Sequence, residues 1–274
     1  MRSFAYARPA SLEEAVSLLD EYGSDARVLA GGTDLIIRLR DGTLTPSVVV
    51  DIKRVPELAP AIIEHAGMVR ITAGTTMTQV LGDPLVRRHF PALAESASVI
   101  GSVQIRNRAT LVGNQTNASP AADTSPALLV YDARLVLLGP TGERTIALDD
   151  FFVRSGMTTM LPGELVTAIE LPIPSSRAGA AFARRTRRRG HDLASVTLAL
   201  TVDESGATRL AYGSVGPRPL LFSAESGDAP LEQWLAAATP SPTSMRASPD
   251  YRLAMLRVLT SRALASARER LAAA

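Results

Sequence analysis

Two stretches of the chain combine glycine with short polar side chains, a composition suited to holding a ligand through the backbone. The first is Gly-Gly-Thr-Asp at residues 31–34, directly after Ala-Arg-Val-Leu-Ala at residues 26–30. A double-glycine turn admits close approach and can present successive N–H groups to a phosphate, although it can also serve only as a turn. The second stretch, residues 100–126, holds Gly113 and Asp123 among other small side chains. Together they predict a binding site for a large ligand.

Side chains arranged for catalysis are not evident in the sequence. No Ser or Lys lies in a recognised nucleophile motif, and neither glycine stretch matches a P-loop or the G-x-G-x-x-G dinucleotide fingerprint. The chain has no cysteine, which excludes disulfides and iron–sulfur ligation by its own thiolates, and its three histidines are too widely spaced for a zinc motif. We therefore predict no catalytic residues and no metal ligands, but a bound cofactor that supplies its own chemistry.

The composition is that of a folded protein without a membrane-spanning segment. Hydrophobic residues make up 46 % of the 274 residues and charged residues 20 %, and no apolar run reaches the ~20 residues that a span requires. The N-terminal stretch lacks the apolar centre of a secretory signal, which predicts a cytoplasmic protein. Lys53 is the only lysine among 29 basic residues, which reflects either genome base composition or anion recognition by guanidinium groups.

The elements that position the two stretches follow from periodicity and capping signals. Residues 11–21 predict an amphipathic helix with a serine cap, and residues 26–30 and 47–52 predict buried strands. Residues 87–100 have a helical pattern that leads into the second stretch. Residues 100–126 themselves are predicted to be a long loop, because Gly, Asn and Ser are poor helix formers and proline ends helices.

A second domain is predicted after residues 172–179, where proline, serine and glycine mark a boundary. Three alternating apolar segments follow, at residues 180–185, 194–202 and 208–215, and they predict an antiparallel sheet.

The C-terminal part of the chain is predicted to be mainly helical. Residues 217–230 are expected to be irregular, residues 231–238 to form a short helix with Trp234 in the core, and residues 251–274 to form a long amphipathic helix.

Five arginines between residues 184 and 189 form a basic run that leads into Gly190-His191-Asp192. One interpretation is a nucleic-acid contact, but no aromatic residues are interleaved and the formal net charge is only +2. The alternative, which the sequence favours, is a solvated loop or an edge that docks a partner. No nucleic-acid partner is predicted.

Five motifs follow one another along nearly the whole chain. They are AGGTDL at residues 30–35, ITAGTT at 71–76, IGSVQIRNRATLVGNQTNASPAADTSPALL at 100–129, ELVTAIELP at 164–172 and RASPDYRLAMLRVLTSRAL at 246–264. In order and spacing they resemble the FAD-binding medium subunit of molybdenum hydroxylases, the family of xanthine dehydrogenases and aerobic carbon monoxide dehydrogenase.

The resemblance implies an α+β fold. A two-subdomain FAD-binding domain of the PCMH type would cover residues 1–174, with subdomains at about residues 1–56 and 57–174. A C-terminal domain of antiparallel sheet plus helices would cover residues 175–274.

The resemblance also implies a function. The chain would be an oxidoreductase subunit that passes electrons from a [2Fe-2S] subunit through FAD to an external acceptor. Its partners would be an iron–sulfur small subunit and a molybdopterin large subunit, in a heterotrimer or a dimer of heterotrimers. Two alternatives stay open at this point, a stand-alone FAD-dependent oxidoreductase and a scaffold that has lost FAD.

Residue roles are carried over from the family motifs. The first stretch would wrap the FAD pyrophosphate with backbone N–H groups, using Val28, Leu29, Ala30, Gly31, Gly32, Thr33, Asp34 and Leu35. The second would contribute Thr110, Leu111, Gly113 and Asn114. Asp123 would hydrogen-bond FAD near its ribose or adenine end, and Ile100 would pack on the cofactor. Near the flavin ring the resemblance places Val166, Phe182 and Arg184.

One position departs from the family pattern. The second stretch usually reads Thr, apolar residue, Gly, Gly, Asn, and Val112 replaces the first of these glycines. If that position needed a positive φ, a β-branched residue would be strained there by roughly 1 kcal/mol or more. If it needed only close approach to phosphate, the valine side chain would crowd the cofactor.

Overall fold

The computed structural model of the protein describes residues 2–226 and 229–273. Its N-terminal part contains three strands, β1 (Ala5–Ala7), β2 (Ala26–Leu29) and β3 (Val48–Asp51), and two helices, α1 (Leu12–Tyr22) and α2 (Leu35–Arg40). The strands form a parallel sheet in the order β1-β3-β2. The β-branched central strand β3 is buried along its whole length, as its sequence predicts.

Helix α1 begins at the predicted cap. Ser11 Oγ accepts a hydrogen bond from the Glu14 N–H at 3.2 Å. The Glu14 carboxylate in turn accepts from the Ala10 N–H at 2.7 Å, so the reciprocal bond of the capping box reaches one residue further back than Ser11. The apolar stripe of the helix, which includes Ala15 and Leu19, is buried against β2 and β3.

The middle of the chain folds around an antiparallel sheet of five strands. These are β4 (Ile62–His65), β5 (Met68–Thr72), β6 (Arg134–Gly139), β7 (Gly142–Ala147) and β10 (Leu165–Pro172), in the order β4-β5-β10-β6-β7. The hairpin β8 (Phe152–Arg154) and β9 (Met157–Thr158) lies apart. Seven short helices connect the strands: α3 (Met77–Gly82), α4 (Pro84–His89), α5 (Pro91–Ser98), α6 (Val103–Arg106), α7 (Leu111–Thr116), α8 (Thr124–Val130) and α9 (Leu148–Phe151).

The structure corrects the prediction of one helix over residues 87–100. The chain forms α4 and α5 instead, with the break at Phe90. Pro91 is the physical reason, because proline has no N–H to donate inside a helix but fits the first position of a new one.

The prediction that residues 100–126 form a long loop is wrong in part, because this segment contains α6, α7 and the start of α8. Side-chain caps overcome the poor helix propensity: Ser102 Oγ accepts from the Ile105 N–H and Thr110 Oγ1 from the Gly113 N–H. Pro126 is tolerated because it lies in the first turn of α8, where its missing N–H has no intrahelical partner.

The C-terminal part is an antiparallel sheet of four strands covered by a long helix. The strands are β11 (Ala178–Arg185), β12 (Val196–Asp203), β13 (Thr208–Gly213) and β14 (Leu220–Ala224), paired in chain order. Helix α10 (Leu231–Ala236) precedes α11 (Pro249–Ala273), which packs on β11 and β12.

Strand β14 corrects the prediction that residues 217–230 are irregular. Its Phe222 lies between Tyr212 and Trp234, with ring centroids 5.6 and 5.7 Å away, so the strand is held by aromatic packing that a sequence pattern does not reveal. Trp234 is a core residue, as predicted. Residues 227 and 228 of the predicted irregular stretch, and residue 274 of the predicted terminal helix, lie outside the described residues.

The two parts of the fold share a core. Helix α8 is buried along its whole length and packs on β12 and β13, and Ala180, Ala199 and Ala211 of the C-terminal sheet belong to the main hydrophobic cluster. The predicted boundary at residue 174 lies in the connection between β10 and β11. Across residues 2–226 and 229–273, no helix has the length and hydropathy needed to cross a membrane.

Candidate cofactor-binding site

The first glycine stretch is a turn between β2 and α2 with unused backbone donors. Gly32 has φ +78°, a left-handed conformation that glycine adopts without strain. Among the described residues, none accepts a hydrogen bond from the N–H groups of residues 31–35. Successive N–H groups in a glycine turn and at the start of a helix, without partners in the described part of the chain, are suited to an anionic ligand.

The second stretch lies directly against the first. A Cβ atom added to Gly31 would lie 2.1 Å from the carbonyl oxygen of Arg108, so only glycine permits this contact. The second stretch is itself anchored to the start of α3 and the turn before it, since the Met77 N–H donates to the Ala109 carbonyl at 2.8 Å and the Leu111 N–H to the Thr75 carbonyl at 3.1 Å. The two glycine-containing stretches therefore lie side by side and form one wall of a cleft.

A cleft of about 220 Å³ lies at this wall. Ala30, Gly31 and Thr110, which the sequence predicted, line it together with Lys53 and Thr76, which the sequence did not predict. Lys53 Nζ is 2.6 Å from the buried Asp51 carboxylate. Lys53 is the only lysine of the chain, and this is the one sequence feature that could have marked it as a residue of the site.

In the first turn of helix α7, a backbone N–H group is bound by the side chain of the helix's own N-cap residue. The Gly113 N–H donates to Thr110 Oγ1 at 3.1 Å, and a Cβ atom on Gly113 would lie 2.8 Å from that oxygen. The close contact with Thr110 thus favours glycine at position 113 whether or not a ligand is bound. Val112 has no positive φ, and its side chain is buried in the main core. The strain considered for Val112 is therefore absent, and its side chain points into the protein interior.

Two amide side chains of the second stretch make hydrogen bonds to neighbouring elements, one to the first stretch and α2 and the other to α8. Asn117 Nδ2 is 3.5 Å from Asp34 Oδ1, and Asn117 Oδ1 accepts from Arg38 at 2.9 Å. Asn114 Oδ1 accepts from Thr124 Oγ1 at 2.6 Å. The Asn117 contacts tie the second stretch to the first, and the separate Asn114 contact ties it to Thr124, the residue after Asp123.

Asp123 and Arg184 form a buried ion pair between the two parts of the fold. Arg184 Nη1 is 2.9 Å from Asp123 Oδ2 and 3.0 Å from the Val99 carbonyl, and Nη2 donates to the Asp192 carbonyl at 2.6 Å. The sequence assigned Asp123 and Arg184 to different parts of the ligand. The structure brings the two side chains into contact, and their roles toward the ligand stay predictions.

One oxygen of the Asp123 carboxylate has no hydrogen-bond partner among the described residues, although Asp123 is only 5 % exposed. Burial raises the pKa of Asp123 to about 6, against the opposing effects of Arg184 and of the nearby Thr197 hydroxyl. Thr197 Oγ1, on β12, is buried near this carboxylate but makes no hydrogen bond of ordinary geometry with it or with another described residue. Unsatisfied buried oxygens are costly, which indicates that a ligand or water completes this site.

The remaining predicted residues differ in what they can offer. Phe182 and Arg184 are two positions apart on β11 and so share one face of the strand, and both are half-buried. Val166 is buried, beside a β-bulge in the pairing of β10 with β6, so the structure leaves it little surface to offer a ligand. Ile100 packs partly buried against the main core.

Arg252 on α11 is a supporting residue that the sequence did not reveal. It is buried, and its Nη1 donates to the Ser214 carbonyl at 2.8 Å, while Nη2 contacts Ser244 Oγ. Ser214, with φ +66°, donates its own N–H to the Pro120 carbonyl at 2.7 Å. Arg252 thus supports the segment that carries Asp123. Burial lowers the pKa of the Arg252 guanidinium.

Comparison with known proteins places the chain in a family. A family model described as the FAD binding domain in molybdopterin dehydrogenase matches residues 2–174. This chain belongs to that family. The carbon monoxide dehydrogenase medium chain of Hydrogenophaga pseudoflava is 33 % identical over 96 % of both chains. The xanthine dehydrogenase FAD-binding subunit of Escherichia coli O157:H7 is 33 % identical over 96 % of this chain and 95 % of the relative.

Solved structures agree with the family assignment. Carbon monoxide dehydrogenase from Hydrogenophaga pseudoflava contains a chain that superposes with a TM-score of 0.92 at 32 % identity, covering 98 % of each chain. Quinoline 2-oxidoreductase from Pseudomonas putida 86 gives a TM-score of 0.88 at 28 % identity, covering 98 % of this chain and 99 % of the other. The predicted fold, an FAD-binding domain followed by a C-terminal antiparallel sheet with helices, is confirmed.

The family assignment also confirms the broad functional prediction. The chain is an FAD-binding medium subunit of the molybdenum-hydroxylase type, and its cofactor is FAD. It is therefore part of an oxidoreductase. The individual FAD-binding residues stay predictions. Among the described residues, no group of three or more His, Asp or Glu side chains could hold a metal ion.

Proposed function

We propose that the chain is an electron-transfer subunit that takes electrons from a [2Fe-2S] subunit and passes them through FAD to an external acceptor. Two observations carry the proposal: the N–H groups of residues 31–35, beside a cleft, have no partner among the described residues, and one oxygen of the Asp123 carboxylate has none there either. Donors at one end and an acceptor at the other suit a long ligand with an anionic pyrophosphate and polar substituents.

Different residues would bind different parts of FAD. The N–H groups of residues 31–35 would hold the pyrophosphate, with Gly32 providing the required turn. Asp123 would accept a hydrogen bond from the cofactor through its free oxygen, and Arg184 would hold Asp123 in place and add positive charge. Bound FAD supplies the electron-carrying chemistry, which none of these side chains provides.

The absence of cysteine supports the assignment of the iron–sulfur clusters to a different subunit. A chain without thiolates cannot ligate an iron–sulfur cluster by the usual means. The clusters would belong to an iron–sulfur small subunit, and substrate chemistry to a molybdopterin large subunit. Relatives named as medium chains of carbon monoxide dehydrogenase and glyceraldehyde dehydrogenase support this arrangement.

The absorption spectrum of the purified chain tests the cofactor site. We expect flavin bands at about one FAD per chain, and loss of FAD in Gly31→Ala, because the added Cβ would push the second stretch away from the first. Gly82→Ala is the matched control, since a Cβ there meets nothing within 4 Å. A wild-type chain that stays colourless with FAD, alone and with its partner subunits, would contradict the proposal.

Co-expression with the two other subunits tests the electron route. We expect a heterotrimer, or a dimer of heterotrimers, in which the FAD becomes reduced when substrate is added to the complex. Flavin that stays oxidised while the iron–sulfur clusters are reduced would rule out the proposed route. The cytoplasmic location belongs to the same proposal, and cell fractionation checks it.

A further inference from the structure

A basic surface lies beside the candidate cofactor site. It is formed by residues 185–193, which connect β11 to β12, and residues 245–251, which lead into α11. Arg187 Nη1 donates to the Met245 carbonyl at 3.5 Å, and Arg185 Nε donates to Tyr251 Oη at 2.9 Å. The two segments therefore lie side by side and form one surface, here called the arginine surface.

The arginine surface carries a clear excess of positive charge. Its two segments contain five arginines and two aspartates. One of the aspartates, Asp192, has a nearly buried side chain with an oxygen 3.6 Å from Arg187 Nη2. Arg185, Arg188 and Arg189 are exposed. Because the chain uses arginine almost everywhere, the clustering of the cations is informative and the choice of arginine over lysine is not.

Large apolar side chains are exposed among these arginines. Met245 is 95 % exposed, Leu193 53 % and Tyr251 40 %. Arginine, methionine and tyrosine are the residue types enriched at protein–protein interfaces, where an apolar centre is surrounded by charge. A phosphate or a nucleic acid would require the charge but not the exposed methionine and leucine. The composition therefore favours a protein surface rich in carboxylates.

The position of the arginine surface connects it to the cofactor site. Arg184 precedes its first residue and donates both to Asp123, on the inner side, and to the carbonyl of Asp192, within the surface-forming segment. Residues 185–193 thus form part of the outer surface, and the Asp192 carbonyl among them accepts a hydrogen bond from the arginine of the inner ion pair. A protein docked on this loop would lie next to the site proposed for FAD.

We propose that the arginine surface docks an acidic face of the iron–sulfur subunit. The inference rests on the proposed function, because it takes from it the identity of the electron donor. Charge attraction would guide the encounter, and Met245, Leu193 and Tyr251 would be covered in the complex.

The double variant Arg187→Glu/Arg188→Glu tests this assignment against a matched control, Arg88→Glu/Arg262→Glu, which makes the same change of charge at exposed arginines outside the surface. Each FAD-loaded chain is titrated with the iron–sulfur subunit of its own complex at low and at high salt. We expect the first variant to bind at least roughly tenfold more weakly at low salt, with a smaller difference at high salt. The control should bind like wild type.

Met245→Asp tests the apolar part of the surface, and it should also weaken binding. Flavin absorbance and the melting temperature verify that each variant is folded. Wild-type binding by Arg187→Glu/Arg188→Glu, or weakened binding of the molybdenum subunit or of an oligonucleotide in place of the iron–sulfur subunit, would overturn the assignment. These outcomes leave FAD binding intact, whereas failure of the proposed function would appear as a wild-type chain that carries no flavin and forms no complex.

Discussion

At the scale of single residues, Asp123 is the group whose charge depends most clearly on the fold. Its pKa is raised to about 6 by burial, above the ordinary value of 3.8. The folded chain therefore binds a proton that the unfolded chain has lost between these two pH values. This contribution to stability is full below the unfolded pKa and is lost as the pH rises through the folded pKa.

We predict that Asp123→Asn removes this pH dependence in the FAD-free chain. The free energy of unfolding of the variant should rise relative to wild type by about 2–3 kcal/mol between pH 4 and pH 7, because the amide cannot ionise. Denaturant unfolding at several pH values measures the effect, and Asp25→Asn, at an exposed aspartate, is the control. Parallel pH profiles for Asp123→Asn and wild type would show that Asp123 is not the group responsible.

Val112 provides a second prediction at this scale. Because its side chain is buried and its backbone is helical, Val112→Gly should restore the usual family residue yet lower the free energy of unfolding by about 3 kcal/mol, through lost burial and lower helix propensity. Val112→Ala keeps the helix propensity and should cost less. Calorimetry measures both. If Val112→Gly instead bound FAD more tightly than wild type, the side chain would have to crowd the cofactor.

At the scale of elements, Arg252 on α11 is linked through Ser214 to the segment that precedes α8. A substitution of Arg252 should therefore change the stability of that segment. Arg252→Met removes the donors to Ser214 and Ser244 and should lower stability by about 2 kcal/mol. It should also speed amide hydrogen exchange at residues 118–123 and weaken FAD binding, because Ser214 holds the Pro120 carbonyl.

Arg257→Met is the matched control for this prediction. Arg257 lies on the same helix, but it is exposed and pairs with Glu232 on α10, away from the 118–123 segment. It should leave hydrogen exchange at residues 118–123 and FAD affinity unchanged. Equal exchange rates in Arg252→Met and wild type would mean that Arg252 only stabilises the C-terminal domain.

The sequence predicted the elements whose residues carry their own local signal. The β-branched strand β3, the serine-capped helix α1 and the antiparallel strands β11 to β13 all have such signals and were correct. Strand β14 and helices α6 to α8 were missed, because β14 depends on Phe222 packing between Tyr212 and Trp234, and the helices on side-chain caps and tertiary burial. The Asp123–Arg184 contact joins residues far apart in sequence, which no local pattern could predict.

At the scale of the whole molecule, the shared core predicts that the FAD-binding domain depends on the C-terminal domain. Helix α8 is buried along its length, and β12 and β13 supply much of its cover. A fragment of residues 2–174 would expose that helix and leave Asp123 without Arg184. We expect it to aggregate or to unfold at a lower temperature than the full chain, and to bind no FAD. Size-exclusion chromatography and calorimetry test this. A monomeric, FAD-binding fragment would show that the domains are independent.

The contact between Gly31 and the Arg108 carbonyl affects how lost function would be recognised in related sequences. Glycine at position 31 is required by the chain's own packing, whether or not a flavin is present. A descendant that no longer used FAD would therefore keep its double-glycine motif, and the motif would be a poor marker of an active flavoprotein. Position 123 would diverge first, because a buried carboxylate with a free oxygen is costly once the ligand that completes it is gone.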